Sequence, residues 1–220
     1  MIAERPLRRV LYGGTFDPVH TAHIEIAEAA GRLLGADRVS LIPAADPPHK
    51  SHGPHATAAD RLEMVRRAVA GRPLLDVLDV EVRRGGLSYT IDTVEELLAG
   101  PCKGETLMLL VGEDALPLLP TWHRVRDLLR LVPVAVAPRS TSADQAAGGP
   151  DWDTLARALG EATVADLRSR RLATPCSPIS STEVRRRVAE GRSIRCWVPD
   201  PVADYIAERG LYGALPARRR

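Results

Sequence analysis

Short apolar runs alternate along this chain with longer segments in which apolar side chains recur every three or four positions. The runs predict strands at Leu7–Tyr12, Val39–Ile42, Leu74–Val82, Thr106–Val111 and Val132–Ala137. The first stops at Gly13-Gly14, the second at Pro43 and the fourth at Gly112. The periodic segments predict helices at Thr21–Leu34, Ala58–Val69, Ile91–Leu98, Val125–Leu131, Asp151–Leu159, Ser180–Ala189 and Pro201–Arg209. Ile24, Ala27, Leu33 and Leu34 form the stripe of the first helix, which Gly35 ends. Leu62, Val65 and Val69 form that of the second. Ala45–Ala56 and Ser140–Pro150 carry the Pro, Gly, His and Ser content of loops. Strands alternating with helices predict an α/β fold: a doubly wound parallel sheet with helices on both faces. The expected organisation is a single domain over residues 1–220, with 176–220 as a small C-terminal helical subdomain.

Composition narrows the classes. A chain of 220 residues, 45% hydrophobic and 26% charged, can bury a core of its own. Thirty Lys and Arg against 28 Asp and Glu leave a net charge of only +2, which argues against a dedicated nucleic-acid binder. The Arg218–Arg220 tail and the Arg185-Arg186-Arg187 run read as solvated charge. The cysteines, Cys102, Cys176 and Cys196, are odd in number and scattered. They make neither a disulfide framework nor a zinc pattern, which points to a reducing cytoplasm. No apolar run reaches the ~18 residues of a membrane span, and no signal-peptide pattern precedes the first strand.

In a parallel α/β sheet ligands bind beyond the carboxyl ends of the strands. The segments after Tyr12, Ile42, Val111 and Ala137 are therefore the places to search. The first reads Gly13-Gly14-Thr15-Phe16-Asp17-Pro18-Val19-His20-Thr21-Ala22-His23. Two glycines let backbone approach a ligand closely, and the N–H groups at the start of the following helix favour an anion. His20 and His23, three residues apart, are expected on one side of the first helical turn, where two imidazoles can hold a polyphosphate. Taken singly, a glycine pair is a plain turn and two histidines are half of a metal site. No His-Glu-x-x-His pattern or Cys pair completes one, and neither a Walker loop nor a Gly-x-Gly-x-x-Gly fingerprint is present.

This segment resembles the signature of the nucleotidyltransferase superfamily whose motif ends in His-x-x-His, with Ala22 where glycine is usual. Four further segments, together reaching to about residue 212, resemble the bacterial nicotinate-nucleotide adenylyltransferases. They are Pro47-Pro48-His49-Lys50; Ser88-Tyr89-Thr90; Gly112-Glu113-Asp114 followed by Pro120-Thr121-Trp122-His123; and Ile179-Ser180-Ser181-Thr182-Glu183-Val184-Arg185. The chain departs from the family after the fifth strand, where Arg139-Ser140-Thr141 replaces the usual Arg-Pro-Gly.

The resemblance implies a Rossmann-like fold and transfer of the adenylyl group of ATP to nicotinate mononucleotide, with pyrophosphate released. It implies His20, His23 and Lys50 as catalytic groups. ATP is expected at Gly13, Gly14, Thr15, Phe16, His20, His23, Gly112, Asp114, Arg139, Ile179, Ser180 and Arg185. Nicotinate mononucleotide is expected at Thr15, His49, Lys50, Ser88, Tyr89, Thr90 and Trp122, with Trp122 stacked on the pyridine ring. Mg2+ is expected to arrive with ATP, bridging phosphate oxygens without a protein carboxylate cage. Ser180 with Glu183 also forms a capping box, and Thr90 can cap its helix. Trp152 and Trp197 match no binding segment and read as packing residues. No nucleic-acid or membrane partner is expected, and a homo-oligomer is compatible with the sequence. The competing readings are a pantetheine-phosphate adenylyltransferase, an enzyme using the nicotinamide form of the mononucleotide, a non-catalytic nucleotide sensor, and an RNA-binding role for the basic run.

Overall fold

The computed structural model describes residues 5–48, 55–138 and 150–214. The chain runs β1 (Arg8–Gly14), α1 (Thr21–Leu33), β2 (Arg38–Pro43), α2 (Ala58–Val69), β3 (Leu75–Val77), α3 (Val80–Arg84), α4 (Thr90–Ala99) and β4 (Thr106–Gly112). A 3-10 helix (Glu113–Thr121), α5 (Val125–Leu131), β5 (Val134–Ala137), α6 (Trp152–Leu159), α7 (Glu161–Ser169), α8 (Ser181–Ala189), α9 (Asp200–Arg209) and a last 3-10 turn (Leu211–Gly213) follow. The described strands form one parallel sheet in the order β3-β2-β1-β4-β5. The strand order reverses beside β1, so the crevice at the carboxyl ends of β1 and β4 is the switch point of the sheet.

Alternation along the strands divides the core into two layers. Val10 and Tyr12 face one side with Leu41, Ala27, Met64, Val184 and Ile206. Leu11 faces the other with Leu109, Val111, Ile91, Leu116, Leu128 and Leu167. Helices α1, α2, α8 and α9 therefore cover one face, while α4 to α7 and the long 3-10 helix cover the other. The doubly wound α/β architecture follows from both strand faces being apolar. The C-terminal helices share the α1–α2 layer: Tyr205 donates its hydroxyl to Asp60 of α2 at 2.9 Å, and Thr21 of α1 donates its backbone N–H to the Trp197 carbonyl at 3.0 Å. Trp152 and Trp197 both pack against these cores, beneath the guanidiniums of Arg168 and Arg187 respectively. Among the described residues no helix is long and apolar enough to cross a membrane.

One local expectation needs correction, and two helices were not predicted. The run Leu74–Val82 is not one strand: β3 pairs with β2 only over Leu75–Val77, and the chain turns into α3, which buries Val80 and Glu81. A short apolar run suits a buried helical turn as well as an edge strand, and periodicity cannot separate them. Pro117 and Pro120 both sit inside the 3-10 helix that packs Leu116 and Leu119 into the core. Helix α7, with only Val164 and Leu167 buried, had too weak an apolar stripe to be predicted.

Candidate active site

The site grows from the end of β1. Gly13 and Gly14 still belong to the strand, paired with Ile42 and Pro43. A Cβ on Gly14 would sit 2.9 Å from the Phe16 ring, so glycine is what lets Phe16 fold back beneath the bend. Phe16 takes a left-handed backbone (φ 50°) and is buried. Its ring meets His23 edge-on at 5.0 Å and Tyr12 at 5.8 Å, a buttress under the second histidine.

His20 and His23 converge, though not as two residues of one helical turn. His20 is the extended residue that precedes α1 (φ −136°), and His23 lies in the first turn. Their rings stack with centroids 3.6 Å apart and planes 22° apart. The backbone N–H of His20 donates to Nδ1 of His23 at 3.2 Å, which leaves Nε2 of a neutral His23 as the donor. Of the N–H groups at the start of α1, that of Thr21 is already taken by the Trp197 carbonyl.

Two lobes open from this bend. The first is lined by Thr15, Pro47, Ser88, Tyr89, Thr90, Trp122 and His123, and the second by Phe16, His20, His23, Asp114, Ile179 and Ser181. With their open mouths they hold about 970 and 1080 Å³, and Gly13, Gly14, Thr15 and Gly112 line both. Asp114 reaches its place because a Cβ on Gly112 would collide with its carboxylate.

The expected residues thus separate into four groups. Gly13, Gly14, Thr15, Phe16, His20, His23, Gly112, Asp114 and Ile179 line the second lobe. Thr15, Ser88, Tyr89, Thr90 and Trp122 line the first. His49, Lys50 and Arg139 lie outside the described residues. Ser180 and Arg185 line neither lobe. The Ser180 hydroxyl caps α8 by accepting the Glu183 N–H at 3.2 Å. Arg185 turns to the back of the bend, donating to the Asp17 carbonyl at 2.6 Å. Thr90 is the first residue of α4 rather than its cap, a position that Tyr89 takes.

Other site groups were not picked out by sequence. Ser177 and Ser181 line the second lobe, and the Ser181 hydroxyl donates to the Pro18 carbonyl at 2.9 Å. His123 lines the first lobe 4.5 Å from the Tyr89 ring. Glu81 lies in the same wall and accepts from the Thr93 hydroxyl at 2.7 Å. Burial pushes its carboxyl up from the usual range, opposed by hydrogen bonds from Thr93 and Ser88. A carboxylate in a run that reads as a strand has no pattern to mark it.

Asp17, within the motif but given no role, anchors the bend. It is 1% exposed and accepts the backbone N–H groups of His55 and Ala56 at 2.8 and 3.1 Å and the Tyr212 hydroxyl at 2.8 Å. Burial pushes its carboxyl up, but those bonds and the charge of Arg185 outweigh it and hold Asp17 below the ordinary carboxylate range. Among the described residues no group of three or more His, Cys, Asp or Glu is placed to hold a metal ion.

An α/β sheet with a polyphosphate-sized cleft at its switch point and a histidine pair at its edge defines a nucleotidyltransferase, and residues 11–187 match the cytidylyltransferase-like family. Over almost their whole length, proteins from Dehalococcoides mccartyi and Gemmatimonas aurantiaca, each named "probable nicotinate-nucleotide adenylyltransferase", are 38% and 41% identical to this chain. The alignments cover 94% and 96% of this chain and 97% and 94% of those relatives. The nicotinic acid mononucleotide adenylyltransferase of Plasmodium falciparum, solved with NaAD, superposes with a TM-score of 0.69 at 17% identity, covering 94% of this chain and 97% of its own. The chain belongs to the cytidylyltransferase-like family, in its nicotinate-nucleotide adenylyltransferase branch.

Proposed function

We propose that this protein joins ATP to nicotinate mononucleotide, forming nicotinate adenine dinucleotide and pyrophosphate in NAD biosynthesis. The observation that carries the reading is the pair of lobes meeting at Gly13-Gly14-Thr15, one edged by stacked histidines and the other by Trp122 and Tyr89. ATP takes the second lobe, with its phosphates toward the bend and its ribose toward Asp114. The mononucleotide takes the first, its pyridine ring against Trp122. The start of α4 opens on that lobe, and the positive end of a helix favours the carboxylate that distinguishes the acid from the amide.

An oxygen of the mononucleotide 5′-phosphate attacks the α-phosphorus of ATP, the α–β bridging P–O bond breaks, and pyrophosphate leaves with the bond's electrons. The attacking group is already an anion, so no protein nucleophile is needed. The chain supplies alignment and charge stabilisation. His23 Nε2 and the His20 ring donate toward the α- and β-phosphates, and Thr15 steadies both substrates where the lobes join. Lys50 adds a point charge for the phosphates and His49 a further donor, while Arg139 stands on the adenine side. Arg185 and Ser180 act indirectly, by holding the bend and starting α8. A magnesium ion arriving with ATP would neutralise phosphate charge, and the described residues would leave most of its ligands to phosphate and water.

Pyrophosphate release, assayed with ATP and a panel of nicotinate mononucleotide, nicotinamide mononucleotide and phosphopantetheine, is expected to be fastest with the acid mononucleotide and absent with phosphopantetheine. A protein that binds ATP but releases no pyrophosphate with any of them is a sensor, and the reading is wrong. Trp122→Ala is expected to raise KM for the mononucleotide about 2–10-fold, the worth of one aromatic stack, with kcat little changed. Steady-state kinetics check this, and an unchanged KM removes Trp122 from the acceptor lobe.

A further inference from the structure

Arg61 stands on the buried face of α2 beside Leu62, Met64 and Val65, and is 0% exposed. Its guanidinium spends its donors on three backbone carbonyls: Nη1 on Thr15 at 2.8 Å, Nη2 on Ala45 at 2.8 Å and Nε on Ala56 at 3.3 Å. Those carbonyls belong to the bend after β1, the loop after β2 and the segment that leads into α2. Burial disfavours the charge on Arg61, and the field of Asp17 opposes that. An aliphatic side chain would leave the three carbonyls without these donors, so the polar fork does something packing does not.

The Thr15 and Ala45 carbonyls belong to segments that carry the two halves of the cleft. Thr15 lines both lobes, while Ala44, Pro47 and Pro48 border the first. Ala45 is held from its other side as well, its N–H donating to the Ser88 hydroxyl at 2.9 Å, and Ser88 returns its own N–H to the Asp46 carbonyl at 2.9 Å. One hydrogen-bonded path therefore runs from the polyphosphate bend through the guanidinium to the wall of the acceptor lobe, and Arg61 is its rigid member.

We propose that Arg61 is a positioning residue for adenylyl transfer: its planar fork sets the separation between the bend at Thr15 and the loop at Ala45, and so the alignment of the acceptor phosphate with the α-phosphorus. The inference rests on the function proposed above. Each substrate is still bound by its own lobe when the fork is lost, while the distance between them is no longer held. A displacement of about 1 Å at a reacting centre lowers rates roughly 100-fold.

The test is Arg61→Lys, which keeps the charge and loses the fork, measured beside the wild type. Calorimetric Kd values for ATP and for nicotinate mononucleotide, taken separately, are expected to stay within about threefold while kcat falls roughly 100-fold. Circular dichroism and thermal melting confirm the fold. In Arg61→Ala, millimolar guanidinium is expected to restore part of the lost kcat, and sodium chloride is not. A folded Arg61→Lys with wild-type kcat, a loss that lies wholly in the Kd values, or failure of both variants to fold each assigns Arg61 to stability alone and overturns the inference. A wild type that releases no pyrophosphate overturns the functional reading and this inference with it. An active wild type beside an unaffected Arg61→Lys overturns the inference only.

Discussion

Replacing His23 by alanine lowers kcat by about 100-fold or more, the scale for losing one preorganised donor to developing charge. The size of the effect follows from how little freedom the ring has. Nδ1 of His23 takes the His20 N–H, Phe16 meets its edge, and His20 covers its face at 3.6 Å. Such a ring holds its Nε2 donor in place before the substrate arrives and needs no reorganisation during the reaction. The Kd for ATP changes much less than kcat, because the bend and Thr15 still receive the triphosphate. Single-turnover pyrophosphate release, with circular dichroism as a control for folding, checks this. Activity within a few-fold of the wild type would place the histidine pair outside the reacting centre.

Asp17→Ala is expected to cost about 3 kcal/mol of stability, the range for breaking a buried, multiply bonded charge. For a chain of this size that is a fall in Tm of roughly 6–12 °C. The carboxylate accepts from His55, Ala56 and Tyr212 at once, and Arg185 sits 3.8 Å away, so its removal strands several polar groups together. The pH dependence has a definite sign. The native Asp17 carboxyl titrates below its usual value, so its contribution is complete above the unfolded carboxylate pKa of about 4. It is lost as pH falls through the lower native value. Asp17→Asn is therefore less stable than the wild type at neutral pH, and the gap narrows below about pH 4. Urea unfolding between neutral pH and mild acid measures it, and parallel stability curves for the two proteins would exclude an ionised Asp17.

Local patterns made much of this site legible. The glycine pair, both histidines, Asp114 and Trp122 stand at or just beyond the carboxyl ends of β1 and β4, where unusual residue types have few structural uses. The predicted helices Ala58–Val69 and Val125–Leu131 agree with α2 and α5 to the residue, since each carries one clean apolar stripe. Arg61 could have been noticed as a charge on the same stripe as Leu62 and Val65, yet nothing nearby in sequence names its partners at Thr15 and Ala45. Ser180 and Arg185 fall inside a motif, and nothing nearby in sequence shows the bonds they make at the helix start and the back of the bend.

The sequence by itself determined the alternation of strands and helices, the α/β class and the bend that faces a ligand. Each is written in residues close together along the chain, where side-chain period and glycine placement act through neighbouring backbone. Only the tertiary structure decided the strand order, the face-to-face stacking of the two imidazoles, the clamp at Arg61 and the burial of Asp17. Those depend on contacts such as Tyr212 to Asp17, 195 residues apart, and Arg185 to Asp17, 168 apart. A polar group becomes a buried anchor only when distant segments exclude water from it and bring the donors that offset its desolvation.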